Sequence, residues 1–422
     1  MSSVTIVPWS RRMGPRDPHE AHRVATPLEL FFDLVFVVAI ASAAAELHHG
    51  LSAGHVETAV GYTMVFFAIW WAWMNYTWFA SAYDSDDVVF RLLTFTIMTG
   101  SLMLAAGVPD LFDDGQSGLV VAGYAVMRLG MVALWLRAAR AHPEGRRTAL
   151  TYAVGITVVQ VLWIARLLVD GDGVLMSTFF LLVLAELAVP ILAERVGGPT
   201  PFHPHHIAER FALFTIIVLG EVILASVQAL QGALAAPPDA ASAGHAVEPG
   251  AAAEPGATGG MSGSLAMLIA GGLLLVFSLW WLYFKREHVD LIGQGRALTW
   301  AFSYAHIVVF ASVAAVGAAL AAAVDVVQGV AEASPRTVAL ALATALSLYA
   351  LTLSSLHAIA DRKPAVVGAA ATLAAVAVVV ALLDVDMGLR VLLMGLAAAG
   401  SVAQHVWATH RPAAPTGAQA AR

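Results

Sequence analysis

Glu29 and Asp33 stand four residues apart in the apolar run PLELFFDLVFVVAI. That spacing puts both carboxylates on one face of a helix. An acid held in hydrocarbon costs roughly 2.5–3.5 kcal/mol at mid-helix on insertion scales, unless a partner or water relieves it. A carboxylate kept there can bind a cation, carry a proton, gate a path or clamp helices through a base. Glu29 also has a local use: Thr26 to Glu29 reads T-P-L-E, a capping box with Pro27 in the first turn. Asp33 lies about 10 Å inside the helix start by rise per residue, and it needs a partner from another segment. Asn75 and Arg91 fall at similar depth in the next two apolar segments. The expectation is an Asp33–Arg91 pair with Asn75 or a tryptophan N–H alongside, acting as a clamp or in gating and ion handling.

Other ionisable residues fall deep in apolar sequence. Glu221 follows Gly220, twelve residues after Glu209, and Arg128, Glu186 and His306 interrupt three further apolar stretches. Arg128 with Glu221 or with Glu186 would make a buried pair, and spacing leaves the choice open. Such groups line a polar path or form structural pairs. Glu209-Arg210 reads as interfacial, capping a helix and snorkelling. His203, His205 and His206 form H-P-H-H without a nearby Cys or an i,i+4 His pair, so a solvated loop with one capping His is expected, not a metal site. Trp70, Trp71, Trp73 and Trp78 read as packing and interfacial anchors.

The composition says which elements must position these groups. Of 422 residues, 59% are hydrophobic and 12% charged, about half the charge of a soluble domain; mean hydropathy is +0.77. The absence of cysteine excludes disulfides, thiolate metal sites and Cys nucleophiles. Neither a phosphate-binding glycine loop, H-E-x-x-H nor a nucleophile elbow occurs, so no enzyme activity, cofactor or metal is expected. The net charge of −7 comes without a dense basic patch, so no nucleic acid is expected as a partner.

Apolar segments long enough to cross a ~30 Å core run over 27–47, 57–80, 88–108, 118–138, 148–169, 174–194, 207–230, 263–284, 297–323, 337–358, 364–383 and 388–409. The expected fold is all-α: a polytopic integral membrane protein with about twelve transmembrane helices. Arg137, Arg140, Arg146, Arg147, Arg195, Arg210, Lys285, Arg286, Arg296, Arg362 and Lys363 collect at alternate connections with the Arg-bearing N-terminal tail. Segments 48–56, 107–118 and 232–262 carry no Lys or Arg. This positive-inside pattern predicts both termini cytoplasmic. The N-terminal 26 residues read as a cytoplasmic tail, not a cleaved signal or Tat leader. The Ala/Gly/Pro-rich 232–262 stretch reads as a disordered outer loop.

The first and seventh segments resemble each other, LELFFDLVFVVAIASAA against AERFALFTIIVLGEVIL, with Glu29 on Glu209 and Phe31 on Phe211. The second and eighth then agree, FFAIWWAWMNY against VFSLWWLYFKR, and the third and ninth open with Arg91 and Arg296. An offset of six helices predicts two parallel six-helix repeats, 27–198 and 199–410, with a C-terminal tail at 411–422.

TPLELFFDLVFVVAIA together with HIAERFALFTIIVLGE resembles the bacterial low temperature requirement protein A family. The motif residues are Glu29, Phe32 and Asp33, then His206, Glu209, Arg210, Phe211, Gly220 and Glu221. The resemblance implies a multi-pass protein of the bacterial cytoplasmic (inner) membrane; the family name describes a growth phenotype and specifies no reaction. FFDLVFVVAI is also similar to the FSD-containing first helix of the endolysosomal potassium-channel family, which repeats a six-helix unit. Phe32 replaces the serine of that motif, and Leu213 stands at the Asp position of the second half. The expectation is a channel or secondary transporter for a monovalent cation, proton or small solute, using intramembrane carboxylates. A non-transporting membrane sensor or scaffold is the alternative. The lipid bilayer is the expected surrounding, with a second copy of the chain a further partner to test.

Overall fold

A helix of the computed structural model covers most of each of the twelve apolar segments; the structure describes residues 7–18, 20, 23–169, 171–235, 262–361 and 365–410. In chain order the helices are α1 (Pro27–Ser52), α2 (Thr58–Tyr83), α3 (Val88–Asp114), α4 (Gly118–Ala141), α5 (Arg146–Ala165), α6 (Asp172–Gly197) and α7 (Pro204–Ala235). They continue as α8 (Gly263–Phe284), the short α9 (Val289–Gly293), α10 (Arg296–Gln328), α11 (Pro335–Asp361), α12 (Ala365–Leu382) and α13 (Met387–His410). No strand occurs among the described residues. Arg362, Lys363, the expected tail at 411–422 and 236–261 of the expected outer loop lie outside the described residues.

Local chemistry sets the helix ends. The T-P-L-E box closes as read: Thr26 N–H donates to Glu29 Oε2 at 2.8 Å, and Glu29 N–H donates back to Thr26 Oγ1 at 3.3 Å. Asp87 caps α3 by accepting from Phe90 N–H at 2.8 Å, and Ser262 caps α8 by accepting from Leu265 N–H at 3.2 Å. α3 ends on Gly115 at φ +69°, the left-handed stop that glycine adopts without strain.

Ten of these helices are long and apolar enough to cross a membrane, by length and composition. α2 is not among them, because its Trp, Tyr, Thr and Asn residues lower its hydropathy. Nor is α12, whose described apolar stretch covers only Val367–Leu382. α2 is nevertheless deeply buried: from Val65 to Tyr83 only Ala68 and Trp78 are part-exposed.

The chain divides into two compact units. The first draws on the chain up to Gly50, Val56–Glu221 and Glu287–Ala314; the second on Leu51–His55, Val222–Arg286 and the chain from Ala315. In the first, α3, α4, α5 and α6 pack in sequence, each on the next. α3 and α4 touch backbone to backbone: a Cβ on Gly123 would lie 2.5 Å from Leu104 N and 2.6 Å from Gly100 O. In the second, α13 packs on α8 by the same device, since a Cβ on Gly395 would lie 2.5 Å from Gly271 O.

The N-terminal segment lies across one end of the first unit. Val88 N–H donates to Pro8 O at 3.1 Å and Arg16 N–H to Ala82 O at 2.9 Å. Arg11 N–H donates to Asp87 at 2.6 Å, Arg12 Nε to Ala141 O at 3.0 Å, and His203 Nε2 lies 2.9 Å from Glu20 O. The segment therefore meets the α2–α3 connection, the end of α4 and the start of α7.

Candidate functional site

α1 and α7 bring two complementary pairs together. Glu29 and Asp33 project from one turn of α1; His206 and Arg210, also four residues apart, project from the first turns of α7. All four side chains are fully buried. Arg210 Nη2 donates to Asp33 Oδ1 at 2.6 Å and its Nε to Asp33 Oδ2 at 3.2 Å, a fork-to-fork pair. Arg210 Nη1 lies 3.0 Å from Glu29 Oε1, and His206 Nε2 lies 3.1 Å from the same oxygen. Trp73 Nε1 of α2 donates to Asp33 Oδ1 at 2.7 Å. Arg23, itself buried, stands 4.0 Å from Glu29 Oε1 and donates to Ala80 O at 3.0 Å. Two carboxylates thus face two guanidiniums, and the charge balances with His206 neutral.

The expected Asp33–Arg91 pair does not form. Arg91 sits in the first turn of α3 on an exposed face and pairs with Asp86 at 2.8 Å. Asn75 does not reach Asp33 either; its Nδ2 donates to Trp71 O at 2.7 Å, and it borders a cavity of ≈330 Å³. Arg210, expected to snorkel at the interface, turns inward because its face of α7 packs on α1. The signal for it was in the sequence: His206 and Arg210 repeat the i,i+4 spacing of Glu29 and Asp33 with hydrogen-bond donors in place of carboxylates. Glu209, on another side of α7, accepts from Ala25 N–H at 3.2 Å.

A second buried cluster lies in the same unit. Arg128 Nη2 donates to Glu186 Oε2 at 2.9 Å, so Glu186 and not Glu221 is its partner. Trp71 Nε1 donates to Glu186 Oε2 at 2.8 Å and Tyr124 OH to Oε1 at 3.0 Å. The Arg128 guanidinium also bonds the Tyr124 hydroxyl and stands 4.6 Å from the centre of its ring. Trp71 and Trp73 are two residues apart, about 200° around a helix, so α2 offers one indole N–H to each carboxylate. They are donors to buried acids as well as packing groups.

The other candidates divide between core and surface. Phe32 stacks on Phe36 and Tyr76 at 4.4 and 3.9 Å, and Phe211 packs edge-on to Trp73 at 5.0 Å. His306 is buried on α10, its Nδ1 2.6 Å from Phe302 O. His203 caps α7, its Nδ1 accepting from His206 N–H at 3.3 Å. Glu221 is part-exposed beside the exposed Gly220 and makes no hydrogen bond or ion pair among the described residues. Asp84, in the connection after α2, is 9% exposed. Burial, then the Glu29 charge, push its carboxyl up to about 6, against the opposing pull of the Asp86 N–H, Arg23 and Arg16.

Residues 24–402 match the family described as bacterial low temperature requirement A protein (LtrA). The match covers both arms of the Glu29/Asp33 and His206/Arg210 cluster. The chain is also similar to the uncharacterized protein RA0937 of Rhizobium meliloti (strain 1021), with 31% identity over 212 residues. That similarity covers 46% of this chain and about half the length of the relative, 49%. No solved structure matches the chain.

Proposed function

We propose, from the premise that this chain belongs to the bacterial low temperature requirement A protein family and is a multi-pass membrane protein, that it is a membrane transport protein. In this reading it is a channel or secondary transporter for a monovalent cation, proton or small solute, and not an enzyme. The observation that carries the reading is the buried Glu29/Asp33/His206/Arg210 cluster. Burying an ion costs several kcal/mol even in a real protein interior, and apolar side chains would hold helices together at less expense. Ionisable groups kept inside membrane helices mark ion and proton paths by default. Glu221 adds a deep acid with no protein partner among the described residues, free to take a proton or meet a permeant.

The proposal extends to layout and sidedness. It assigns about twelve spans in two parallel six-helix repeats, α2 and α12 included, in the cytoplasmic membrane with both termini inside. The N-terminal segment supports the sidedness by packing on the α2–α3 connection and the α4 and α7 ends, where Arg137, Arg140, Arg146 and Arg147 also collect. A homo-oligomer is compatible with it.

Purified protein in liposomes tests the function. Proton and monovalent-cation flux above that of empty vesicles is expected, with the flux altered in Glu221→Gln. A second reading has an observation of its own: Asp33 and Glu186 are both fully engaged by bases and indoles, as a sealed sensor or scaffold would have them. Flux indistinguishable from empty vesicles across ions and pH would reject proton and cation transport and favour that reading.

A further inference from the structure

The cavity beside α2 holds polar groups that the protein itself does not use. It lies in the first unit, where α2, α4 and α6 end and α7 and α10 begin, and its volume is ≈330 Å³. Ligand pockets start at about this size, with mostly apolar walls and a few polar groups that orient the occupant. Trp78 and Trp135 contribute ring surface to its wall, their buried Nε1 atoms having no hydrogen-bond partner among the described residues. Asn75 is 9% exposed, and its only hydrogen bond among the described residues is the one to Trp71 O, leaving Oδ1 and one N–H unused. Buried polar groups are nearly always satisfied, so a buried amide with two of its groups unused beside an open space calls for an occupant. At the margin stand one acid and one base. Glu194 accepts a long bond from Thr200 N–H at 3.4 Å and lies within electrostatic reach of exposed Arg296, which makes no ion pair within 4 Å among the described residues.

We propose that this cavity is a binding site for a small zwitterion with an apolar side chain, of the α-amino-acid type. The Arg296 guanidinium donates to the carboxylate. The Glu194 carboxylate and Asn75 Oδ1 accept from the ammonium. Met74, Pro190 and Phe202, which also line the space, take the apolar body. A purely anionic ligand would meet Glu194, and a purely cationic one would meet Arg296. The assignment concerns binding and does not depend on whether the protein moves the molecule, since a sensor would hold it equally.

Calorimetric titration of the full-length protein in nanodiscs tests it, with L-phenylalanine, 3-phenylpropionate and 2-phenylethylamine as probes. Saturable binding of L-phenylalanine is expected. Each analogue should bind at least about tenfold more weakly, the size of one charge-assisted hydrogen bond. Glu194→Gln should weaken L-phenylalanine and 2-phenylethylamine and spare 3-phenylpropionate. Arg296→Gln, at an exposed position that leaves the core intact, should weaken L-phenylalanine and 3-phenylpropionate and spare the amine. No saturable binding of L-phenylalanine overturns the proposal. Equal affinity for the three probes, or affinities unmoved by Arg296→Gln and Glu194→Gln, does so as well, since either describes an apolar cavity without charge recognition.

Discussion

Arg210 answers two acids at once, and removing it leaves both without their main counter-charge. Asp33 shares its Oδ1 between Arg210 and Trp73, and Glu29 Oε1 stands within 3.1 Å of both Arg210 and His206. Arg210→Met is therefore expected to destabilise the protein by about 3–5 kcal/mol, the cost of breaking a buried pair from one side. Thermal unfolding in detergent measures this, and adding Glu29→Gln and Asp33→Asn to the same chain should recover much of the loss. Trp73→Phe keeps an aromatic ring on Phe211 and Phe214 but takes a donor from Asp33, at about 1.5–3 kcal/mol. Asp84 supplies a pH dependence outside the spans. Its carboxyl is raised to about 6 from 3.8, so the folded state holds the proton more tightly than the unfolded chain. Stability then falls as pH rises from about 4 to 6, and the penalty is fully present above that window. Asp84→Asn should raise the unfolding temperature at pH 7.5 and leave it unchanged below pH 4.

Helix contacts in both units rest on glycine placed at intervals of seven. Gly100 of α3 meets Gly123 of α4, Gly107 meets Leu119 and Val120, and Gly130 meets Leu93 and Ile97; Gly271 of α8 meets Val391 and Gly395 of α13, and Gly388 meets Ser264. Lipid offers no hydrophobic drive for helix association, so close backbone contact has to supply it. At Gly123 an added Cβ would face backbone atoms, which cannot swing aside as a flexible side chain can. Gly123→Ala is expected to cost about 1–3 kcal/mol, as overpacking does. Gly118→Ala, with nothing within 4 Å of the new Cβ, should change stability little. Unfolding midpoints of the two variants compare the sites directly. α2 shows a different logic: Trp71 and Trp73 lie on opposite sides of one buried helix and satisfy the carboxylates of both clusters. Trp280 and Trp281 of α8, which align with Trp70 and Trp71 in sequence, are instead each 46% exposed.

Across the molecule, the chain contains no cysteine, so single cysteines report sidedness without background. Gln116→Cys, between α3 and α4, should react with an impermeant maleimide in intact cells, and Glu144→Cys, between α4 and α5, only after permeabilisation. Reversed labelling would reverse the proposed orientation. Length and apolar composition alone located every long helix, because a helix crossing hydrocarbon must satisfy its own backbone and stay apolar over some twenty residues. The Thr26–Glu29 cap was legible for the same reason: it is made within one turn. The motifs around Glu29 and His206 were legible as a family resemblance. Arg128 was legible as half of a buried pair, since an arginine inside an apolar helix demands a counter-charge. Which acid answers it, Glu186, and which base answers Asp33, Arg210 in place of Arg91, were decided only by the packing of α4 on α5 and α6 and of α1 on α7. Depth along a helix can be counted from sequence. Azimuth against a neighbour cannot, because it depends on side chains from distant segments filling a shared space. Asn75, Glu194 and Arg296 come together around one cavity for that same reason, and no spacing in the chain announced it.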